Sequence, residues 1–197
     1  MSKDWTGNRT PVFSTLGASS HSDKDRQVED YYATDPEAAH HLLKLETFSN
    51  KIWECACGEG HLSKVFVGKG FNVRSSDLIN RGYGDVYDFL GIENQEWNGD
   101  IITNPPYKNA QEFIEKSLSI IKDGSKVAMF LKVQFLEGKG RKHLFLSNPP
   151  KAVYISCSRI NCAHGGQFEK YTSSAIAFAW FVWQKGFKRD PVLKWFN

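Results

Sequence analysis

Long apolar runs are missing from this 197-residue chain, which excludes one broad class of proteins. No run approaches the roughly 18 apolar residues that a membrane-spanning helix needs. The first ten residues, MSKDWTGNRT, contain no apolar segment of the kind found in a secretory signal. We therefore expect a cytoplasmic protein that does not enter a membrane.

Cysteine is also scarce. The four residues form two close pairs, Cys55 with Cys57 and Cys157 with Cys162. Their C-x-C and C-x4-C spacings match structural zinc motifs poorly, and a zinc site shared with His164 is the alternative. We expect reduced thiols, buried as small side chains, and no bound metal.

Charge of one sign does not dominate the chain. The 25 Lys and Arg against 22 Asp and Glu give a net charge of +3, which permits a nucleic-acid partner without requiring one. Internal repeats and low-complexity tracts are absent, which excludes repeat and fibrous architectures. A chain of 197 residues is normally one domain, and we expect a monomer.

Periodic apolar positions begin only near Tyr31. Residues 1–30 are rich in Ser, Gly, Asn, Thr and charges, so we interpret them as a flexible N-terminal arm. Residues 31–197 are expected to form a single domain. Its first helix is predicted to begin around Asp35 and Pro36, with Asp35 as the N-cap and Pro36 in the first turn.

Short apolar segments then alternate with amphipathic ones. The predicted strands are residues 51–55, 71–75, 85–87, 100–103, 126–133, 152–156 and 174–183. The further predicted helices are residues 60–67, 110–121 and 139–146. This alternation favours an α/β fold, a parallel sheet with helices on both faces. Ligands bind such sheets at the carboxyl ends of the strands, so the residues after each strand are the informative ones.

A loop of small and acidic residues, ECACGEG (54–60), follows the first of these strands. Its small residues are Ala56, Gly58 and Gly60. They let the backbone approach a ligand closely beside the N–H groups of a helix start. The third glycine of a dinucleotide-binding motif is missing, which disfavours a nicotinamide oxidoreductase. Glu54 and Glu59 suit a ligand with a cationic part, such as S-adenosylmethionine; the alternative is a tight turn without a ligand.

Acidic residues follow the next two strands. Asp77 lies about 20 residues beyond the glycine loop, where it can accept both ribose hydroxyls of an adenosine-containing cofactor. Asp88 can accept a hydrogen bond from an adenine amino group while the ring of Phe89 packs near the purine. The alternatives are a turn residue at Asp77, and a surface Asp88 followed by a core Phe89.

The fourth predicted strand, DIIT (100–103), ends in the tetrapeptide NPPY. Pro105 and Pro106 hold the loop rigid and keep Asn104 out of the helical region. The Asn104 side-chain oxygen and the Pro105 carbonyl are both acceptors, and an NH2 group offers two hydrogens. Accepting both exposes the nitrogen lone pair for methyl transfer, and the same dipoles stabilise the positive charge that develops. Tyr107 supplies a ring on which a planar substrate can stack.

A second NPP, at Asn148-Pro149-Pro150, provides a comparison within the chain. It precedes a predicted strand, and Lys151 rather than an aromatic residue follows it. We interpret it as a helix stop. The prediction of amino-group chemistry therefore depends on where NPPY stands, after a buried strand and downstream of the glycine loop.

The order of these motifs resembles that of the amino-group DNA methyltransferases, and is most similar to the small N6-adenine enzymes of phages and prophages. The similar segments are YATDPE (32–37), ECACGEG (54–60), SDL (76–78), DFL (88–90) and NPPY (104–107). The resemblance covers roughly residues 30–185. It implies a Rossmann-like methyltransferase fold with helices on both faces of a mostly parallel, seven-stranded sheet whose last strand is antiparallel.

The resemblance also implies a role for each motif. Thr34 and Asp35 would contact the methionine part of S-adenosylmethionine. The residues lining the loop around it would be Glu54, Ala56, Gly58 and Gly60. Those holding the ribose and the adenine of the cofactor would be Asp77, Asp88 and Phe89. Those holding the target base would be Asn104, Pro105, Pro106 and Tyr107.

Larger members of this family carry a separate target-recognition domain after the catalytic sheet. Only 90 residues follow Tyr107, and the sheet needs most of them, so we expect no such domain. Two loops, residues 134–143 and 158–171, are candidates for contacting DNA instead. Their candidate residues are Lys139, Arg141, Arg159, Phe168 and Lys170. Basic residues mixed with aromatics suit phosphate contacts and stacking, although charged loops are often only solvated connections.

Other substrates fit the same loop chemistry. The amide of a protein glutamine, adenine in RNA and N4 of cytosine each present an NH2 group. A nucleic-acid-binding protein that keeps the fold without turnover is the alternative from another class. We predict an S-adenosylmethionine-dependent enzyme that methylates N6 of adenine in DNA, with the base flipped out of the helix.

Overall fold

The computed structural model describes residues 32–91, 93, 95–158, 160, 162–164, 168 and 176–197. The predicted arm, residues 1–30, lies outside this part of the chain and stays a prediction. The strands are β1 (Tyr32–Thr34), β2 (Lys51–Glu54), β3 (Asn72–Asp77), β4 (Asp85–Val86), β5 (Asp100–Thr103), β6 (Lys126–Lys132), β7 (Ala152–Ser156), β8 (Cys162–His164), β9 (Phe178–Gln184) and β10 (Val192–Phe196). The α-helices are α1 (Glu37–Leu45), α2 (His61–Gly68), α3 (Ala110–Ile120) and α4 (Lys142–Ser147). The 3-10 turns are Tyr107–Asn109, Val133–Leu136 and Lys139–Arg141.

Eight of the described strands form one sheet in the order β10-β7-β9-β6-β5-β2-β3-β4. Neighbouring strands are parallel except around β9, which is antiparallel to both β6 and β7. The predicted α/β fold with a mostly parallel sheet is confirmed. The predicted count of seven strands was wrong, because β10 adds an eighth at the edge, parallel to β7. The antiparallel strand is therefore β9 and not the last strand of the chain.

Adjacent residues of each central strand face opposite sides of the sheet, and helices cover both sides. On one side Trp53, Ile101 and Met129 pack with residues of α3 and α4. On the other side Ile52, Ile102 and Phe130 pack with residues of α1 and α2. Burial on both faces explains why the five inner residues of β6, VAMFL, are a continuous apolar run without alternation. None of the described helices is long and apolar enough to cross a membrane.

The order of strands reverses between β2 and β5. From β2 the chain proceeds outward through β3 and β4, whereas β5 returns to the other side of β2 and continues to β6. The two strands are parallel neighbours, with Trp53 opposite Ile101. Their carboxyl ends carry the ECACGEG loop and the NPPY loop. The two motifs therefore meet at the switch point, where folds of this kind bind ligands.

Several predicted boundaries are confirmed. The strands β5 and β7 cover the predicted residues 100–103 and 152–156, and the second NPP lies between the end of α4 and the start of β7. Residues 174–175, the predicted start of a strand, lie outside the described residues, and β9 begins at Phe178. Strands β1 and β8 were not predicted. They form a separate antiparallel pair, and β8 lies within the segment expected to be a loop.

Candidate active site

The NPPY tetrapeptide follows β5 directly, so a buried strand fixes one end of it. The 3-10 turn at Tyr107–Asn109 leads from its other end into α3. The Nδ2 atom of Asn104 donates a hydrogen bond to Thr34 Oγ1 at 2.8 Å. Its Oδ1 atom is buried and has no hydrogen-bond partner among the described residues. Burying an acceptor without a hydrogen bond costs free energy of folding. An N–H group of a ligand could supply the missing hydrogen bond, because both lone pairs of this oxygen are free of bonds to the described residues.

Tyr107 is held on several sides. Its ring stacks with that of Phe178, with centroids 6.2 Å apart and an interplanar angle of 28°. Lys132 Nζ lies 4.6 Å from the ring centroid. The hydroxyl donates a hydrogen bond to Cys162 Sγ at 3.7 Å. Burial raises the pKa of Tyr107 well above its usual value, so the hydroxyl stays neutral.

A cleft of about 340 Å³ opens beside Tyr107. Its walls include Lys132, Phe135, Glu137 and Arg141. The ammonium of Lys132 makes no hydrogen bond or ion pair with another described residue, so it presents an unpaired positive charge to the cleft. The volume lies within the range of small-molecule sites and is large enough for a planar group next to the NPPY loop.

Arg141, a candidate for phosphate contact, is engaged within its own loop. It donates hydrogen bonds to the carbonyl of Phe135, at 2.9 Å, and to the carbonyl of Glu137. Its guanidinium lies 4.8 Å from the Phe135 ring centroid. These contacts hold the wall of the cleft, while neighbouring Lys139 is exposed. Whether either residue contacts DNA stays a prediction.

The second candidate loop is only partly described. Phe168 contacts the ring of His61 edge-on, with centroids 5.3 Å apart, which places it at the start of α2, the helix that follows the glycine loop. Arg159 and Lys170 lie outside the described residues. Their predicted contacts with DNA stay predictions.

The glycine loop has the backbone that its sequence demands. Gly58 and Gly60 adopt φ values of 54° and 78°, the left-handed region that glycine tolerates. A methyl group at Gly60 would overlap the ring of Tyr83. Ala56, between them and β2, is half-buried. The loop then enters α2 at His61, so the N–H groups of the helix start face the same edge of the sheet.

Asp77 lies at the end of β3 and is bonded to the glycine loop. Its Oδ2 accepts the N–H of Gly58 at 2.9 Å, and its Oδ1 accepts that of Ile79 at 3.0 Å. The second bond is the turn contact that was the alternative interpretation of this residue. Each carboxylate oxygen has a further lone pair, so both functions are compatible and two hydroxyls can still be accepted.

Glu54 is buried under the loop rather than open to it, with 2% of its surface exposed. Its hydrogen-bond partner is the hydroxyl of Ser63, which donates to Glu54 Oε2. Burial raises the pKa of Glu54 from 4.5 to about 8, and the nearby charge of Asp77 adds to the shift. In the free protein this carboxyl is therefore largely protonated at neutral pH, whereas the sequence suggested a negative charge there.

The Asp88-Phe89 pair matches the simpler alternative. Asp88 is exposed and accepts the N–H groups of Leu90 and Gly91, both at 3.0 Å. Phe89 is 2% exposed and packs on Trp53 and Phe113, with ring centroids 5.2 and 5.1 Å away. Its ring belongs to the core and presents no open face to a purine.

Thr34 and Asp35, expected near the methionine part of a cofactor, occupy the end of β1 and the approach to α1. Asp35 Oδ1 accepts the N–H of Glu37 at 3.0 Å, as an N-cap side chain does. Thr34 is buried and contacts Asn104. The sequence contained no indication of that contact, because Thr34 and Asn104 are far apart in the chain and belong to different motifs.

The sequence left a zinc site as an alternative interpretation of the four cysteines. Among the described residues, no group of three or more His, Cys, Asp or Glu side chains is arranged to hold a metal ion. The four cysteines are free thiols; Cys55 and Cys57 are buried, and burial raises the pKa of Cys57 to about 12. Cys157 is exposed, whereas Cys162 contacts Tyr107.

No family model matches this chain, and no curated protein matches it in sequence. Its fold is nevertheless similar to solved structures. A protein from Listeria monocytogenes described as a class I S-adenosylmethionine-dependent methyltransferase gives a TM-score of 0.59 at 12% identity, over 93% of this chain and 70% of that one. A protein from Agrobacterium tumefaciens described as an O-methyltransferase gives a TM-score of 0.54 at 11% identity. The match covers 74% of this chain and 78% of that protein. A protein from Pyrococcus horikoshii described as an RNA methyltransferase gives a TM-score of 0.53 at 17% identity. The match covers 78% of this chain and 86% of that protein.

These identities are low, so the similarity concerns the fold. The chain has the Rossmann-like α/β fold of class I methyltransferases. Because one fold hosts many activities, the function has to be argued from the side chains at the switch point.

Proposed function

We propose that this protein transfers a methyl group from S-adenosylmethionine to the N6 amino group of adenine in DNA. The observation that carries the proposal is the buried Oδ1 of Asn104, which has no partner among the described residues. It lies at the carboxyl end of β5, next to the strand that leads into the glycine loop. An acceptor placed there suits a substrate that brings an N–H group to the cofactor.

The residues around the glycine loop fit S-adenosylmethionine. Gly58 adds no side chain to the loop, whereas the ring of Tyr83 packs on Gly60. Asp77 has lone pairs for two ribose hydroxyls. The buried carboxyl of Glu54 lies beneath the same loop, and a cationic ligand nearby would favour its ionised form. When bound, the cofactor supplies a methyl group activated by its sulfonium centre.

The chain contributes orientation and electrostatics to the transfer. Asn104 Oδ1 and the Pro105 carbonyl accept the two hydrogens of the target amino group, which directs the nitrogen lone pair toward the methyl group. The same two oxygens stabilise the positive charge that develops on the nitrogen. As the nitrogen–methyl bond forms, the sulfur–methyl bond of the cofactor would break and S-adenosylhomocysteine, a neutral thioether, would be the leaving group. The nitrogen then loses a proton to solvent, and no covalent bond to the protein forms.

The cleft beside Tyr107 supports a nucleic-acid substrate over a glutamine side chain. A base that stacks on the Tyr107 ring enters a cleft in which the ammonium of Lys132 makes no hydrogen bond or ion pair with another described residue. That charge favours a substrate carrying phosphates. A base has to leave its stack to reach the loop, at a cost of a few kcal/mol. The choice of adenine in DNA depends on the resemblance in motif order.

Product identification tests the proposal. The protein is incubated with S-adenosylmethionine carrying a labelled methyl group and with DNA, RNA or a protein presenting an exposed glutamine. The products are digested and the modified unit is identified by mass spectrometry. We expect label in N6-methyladenine from DNA. Label confined to RNA, to cytosine or to glutamine contradicts the substrate, and cofactor binding without transfer to any of them indicates a binding protein.

A further inference from the structure

The small ribbon of β1 and β8 joins two segments that are far apart in the sequence, residues 32–34 and 162–164. Thr34 and Cys162 lie directly opposite each other in its register. Thr34 is 4% exposed and Cys162 is partly buried. The two side chains therefore form one cross-strand pair, and it lies against the NPPY loop.

This pair contacts both ends of the tetrapeptide. Asn104 Nδ2 donates to Thr34 Oγ1 at 2.8 Å and lies 4.0 Å from Cys162 Sγ. The Tyr107 hydroxyl donates to Cys162 Sγ at 3.7 Å. Thr34 and Cys162 face each other across the ribbon, which brings these contacts together. The four side chains form one connected network, in which the Oδ1 of Asn104 is buried and has no hydrogen-bond partner among the described residues.

We propose that Thr34 and Cys162 are positioning residues that fix the orientation of the Asn104 amide and of the Tyr107 ring for amino-group transfer. The inference rests on the proposed function. An asparagine amide has two orientations that exchange its oxygen and its nitrogen. Only one of them offers an acceptor to a substrate amino group.

The hydrogen bonds select that orientation. Thr34 Oγ1 accepts from Asn104 Nδ2 at 2.8 Å, so it presents a lone pair to Asn104. Lone pairs attract Nδ2 and repel Oδ1, which turns Oδ1 away from Thr34 and leaves it free. Burial raises the pKa of Cys162 to about 12, so its sulfur remains a neutral thiol that accepts from Tyr107 over the physiological range.

A matched pair of substitutions at Thr34 separates positioning from packing. Thr34→Val keeps the shape and removes the acceptor, whereas Thr34→Ser keeps the acceptor. We expect kcat for methyl transfer to fall by about 10- to 100-fold in Thr34→Val, because misplaced groups cost this much. The KM for DNA and the Kd of S-adenosylmethionine should change by less than about twofold, and Thr34→Ser should recover most of kcat.

Substitutions at Cys162 test the other half of the pair. Cys162→Ala removes the acceptor for Tyr107, and Cys162→Ser retains one. We expect a smaller loss of kcat in Cys162→Ala than in Thr34→Val, and near wild-type kcat in Cys162→Ser. The double variant Thr34→Val/Cys162→Ala should lose less than the product of the single losses, because both residues act through one network.

A measurement without turnover keeps this inference apart from the proposed function. In the cofactor-free protein, the side-chain NH2 of Asn104 is observed by NMR. We expect it to be protected from hydrogen exchange in the wild type and in Thr34→Ser, and unprotected in Thr34→Val. Equal exchange in all three overturns the inference even if the enzyme is active.

The kinetic results can also overturn it. A Kd for S-adenosylmethionine that rises in step with the loss of kcat assigns Thr34 to the cofactor. A matching loss of melting temperature that Thr34→Ser does not recover assigns the ribbon to stability alone. If wild-type protein methylates nothing while the Asn104 amide is protected as expected, the proposed function fails and the hydrogen-bond network stands.

Discussion

Two buried glutamates belong to the same domain and are held in opposite ways. Glu46, beside the amino ends of β6 and β7, is 8% exposed. It accepts hydrogen bonds from Lys126 at 2.6 Å, Tyr154 at 2.7 Å and Lys151 at 3.1 Å. Burial by itself raises the pKa of Glu46, but these hydrogen bonds outweigh it and hold the pKa below its usual value.

Glu54, at the carboxyl end of β2, has Ser63 as its hydrogen-bond partner and no basic partner among the described residues. Its pKa is raised to about 8. The first carboxyl is thus a fixed charge at all moderate pH values. The second has a pKa of about 8 and is therefore mostly protonated at neutral pH.

The single strand β5 repeats this contrast. At its amino end, Asp100 accepts the backbone N–H groups of Ser49 at 2.6 Å and Lys126 at 2.7 Å, so both carboxylate oxygens are bonded. Directly after its carboxyl end, Asn104 has an oxygen with no partner in the described part of the chain. At the amino edge the polar groups of Asp100 are paired within the protein, whereas at the carboxyl edge one acceptor has no partner among the described residues, as the proposed function requires.

The largest effect on stability is expected from removing the carboxylate of Glu46 at the amino edge of the sheet. Glu46→Ala leaves Lys126, whose side chain is 13% exposed, without its anionic partner. We expect the free energy of unfolding to fall by about 3–5 kcal/mol, as when one partner of a buried ion pair is removed. Urea denaturation measures the change, with exposed Glu112→Ala as the control. Similar small losses in both variants would contradict the assignment of Glu46 to stability.

The carboxyl edge should respond to pH instead. The folded pKa of Glu54 lies above its ordinary value, so the stability it contributes is complete below about pH 4.5 and is lost as the pH rises toward 8. At about 1.4 kcal/mol per pKa unit, the loss reaches a few kcal/mol. Glu54→Gln has no proton to lose, so its melting temperature should increasingly exceed that of the wild type between pH 5 and 8. Parallel curves for the two proteins would contradict the raised pKa.

Cofactor binding should be linked to the same proton. If a cationic ligand lies near Glu54, it favours the ionised carboxyl, and affinity rises with pH until the free carboxyl is ionised. Calorimetry should show the Kd of S-adenosylmethionine falling by up to about tenfold per pH unit between pH 6 and 8. Glu54→Gln should show no such slope. A flat profile in the wild type would separate Glu54 from the cationic part of the ligand.

A smaller effect is expected at Lys132. Lys132→Met removes the unpaired charge beside Tyr107 and should raise the KM for DNA by several-fold, about 1 kcal/mol, without changing the Kd of S-adenosylmethionine. Lys122→Met, at an exposed position before β6, is the control. Unchanged KM in Lys132→Met, or equal changes in both variants, would remove this argument for a nucleic-acid substrate.

The sequence was sufficient for the features that depend on local pattern. The buried strand DIIT ends at NPPY, the glycine loop follows β2, and both lie at the switch point because the alternation of strands and helices dictates a parallel sheet. The second NPP was separated from the first by its position alone. These are properties of short segments and of their order.

Features that depend on distant pairing could not be predicted. Thr34 contacts Asn104 at the edge of the β1–β8 pair, and no local sequence pattern predicts the pairing of these two strands. Burial decides whether Phe89 lies in the core and whether Glu54 is charged, and both depend on the assembled fold. The edge strand β10 was not predicted, although four of its five residues are apolar (Val192, Leu193, Trp195 and Phe196).

The two NPP motifs provide the most direct test of the account. Asn104→Ala removes the unpartnered acceptor, whereas Asn148→Ala leaves the backbone contacts of the second motif intact. Methyl transfer and the Kd of S-adenosylmethionine are measured side by side. We expect Asn104→Ala to lose about 100- to 1,000-fold in kcat with Kd changed by less than about twofold, and Asn148→Ala to match the wild type. Equal loss of transfer and cofactor affinity in Asn104→Ala, or full activity in it, would contradict the assignment of Asn104 to the amino group.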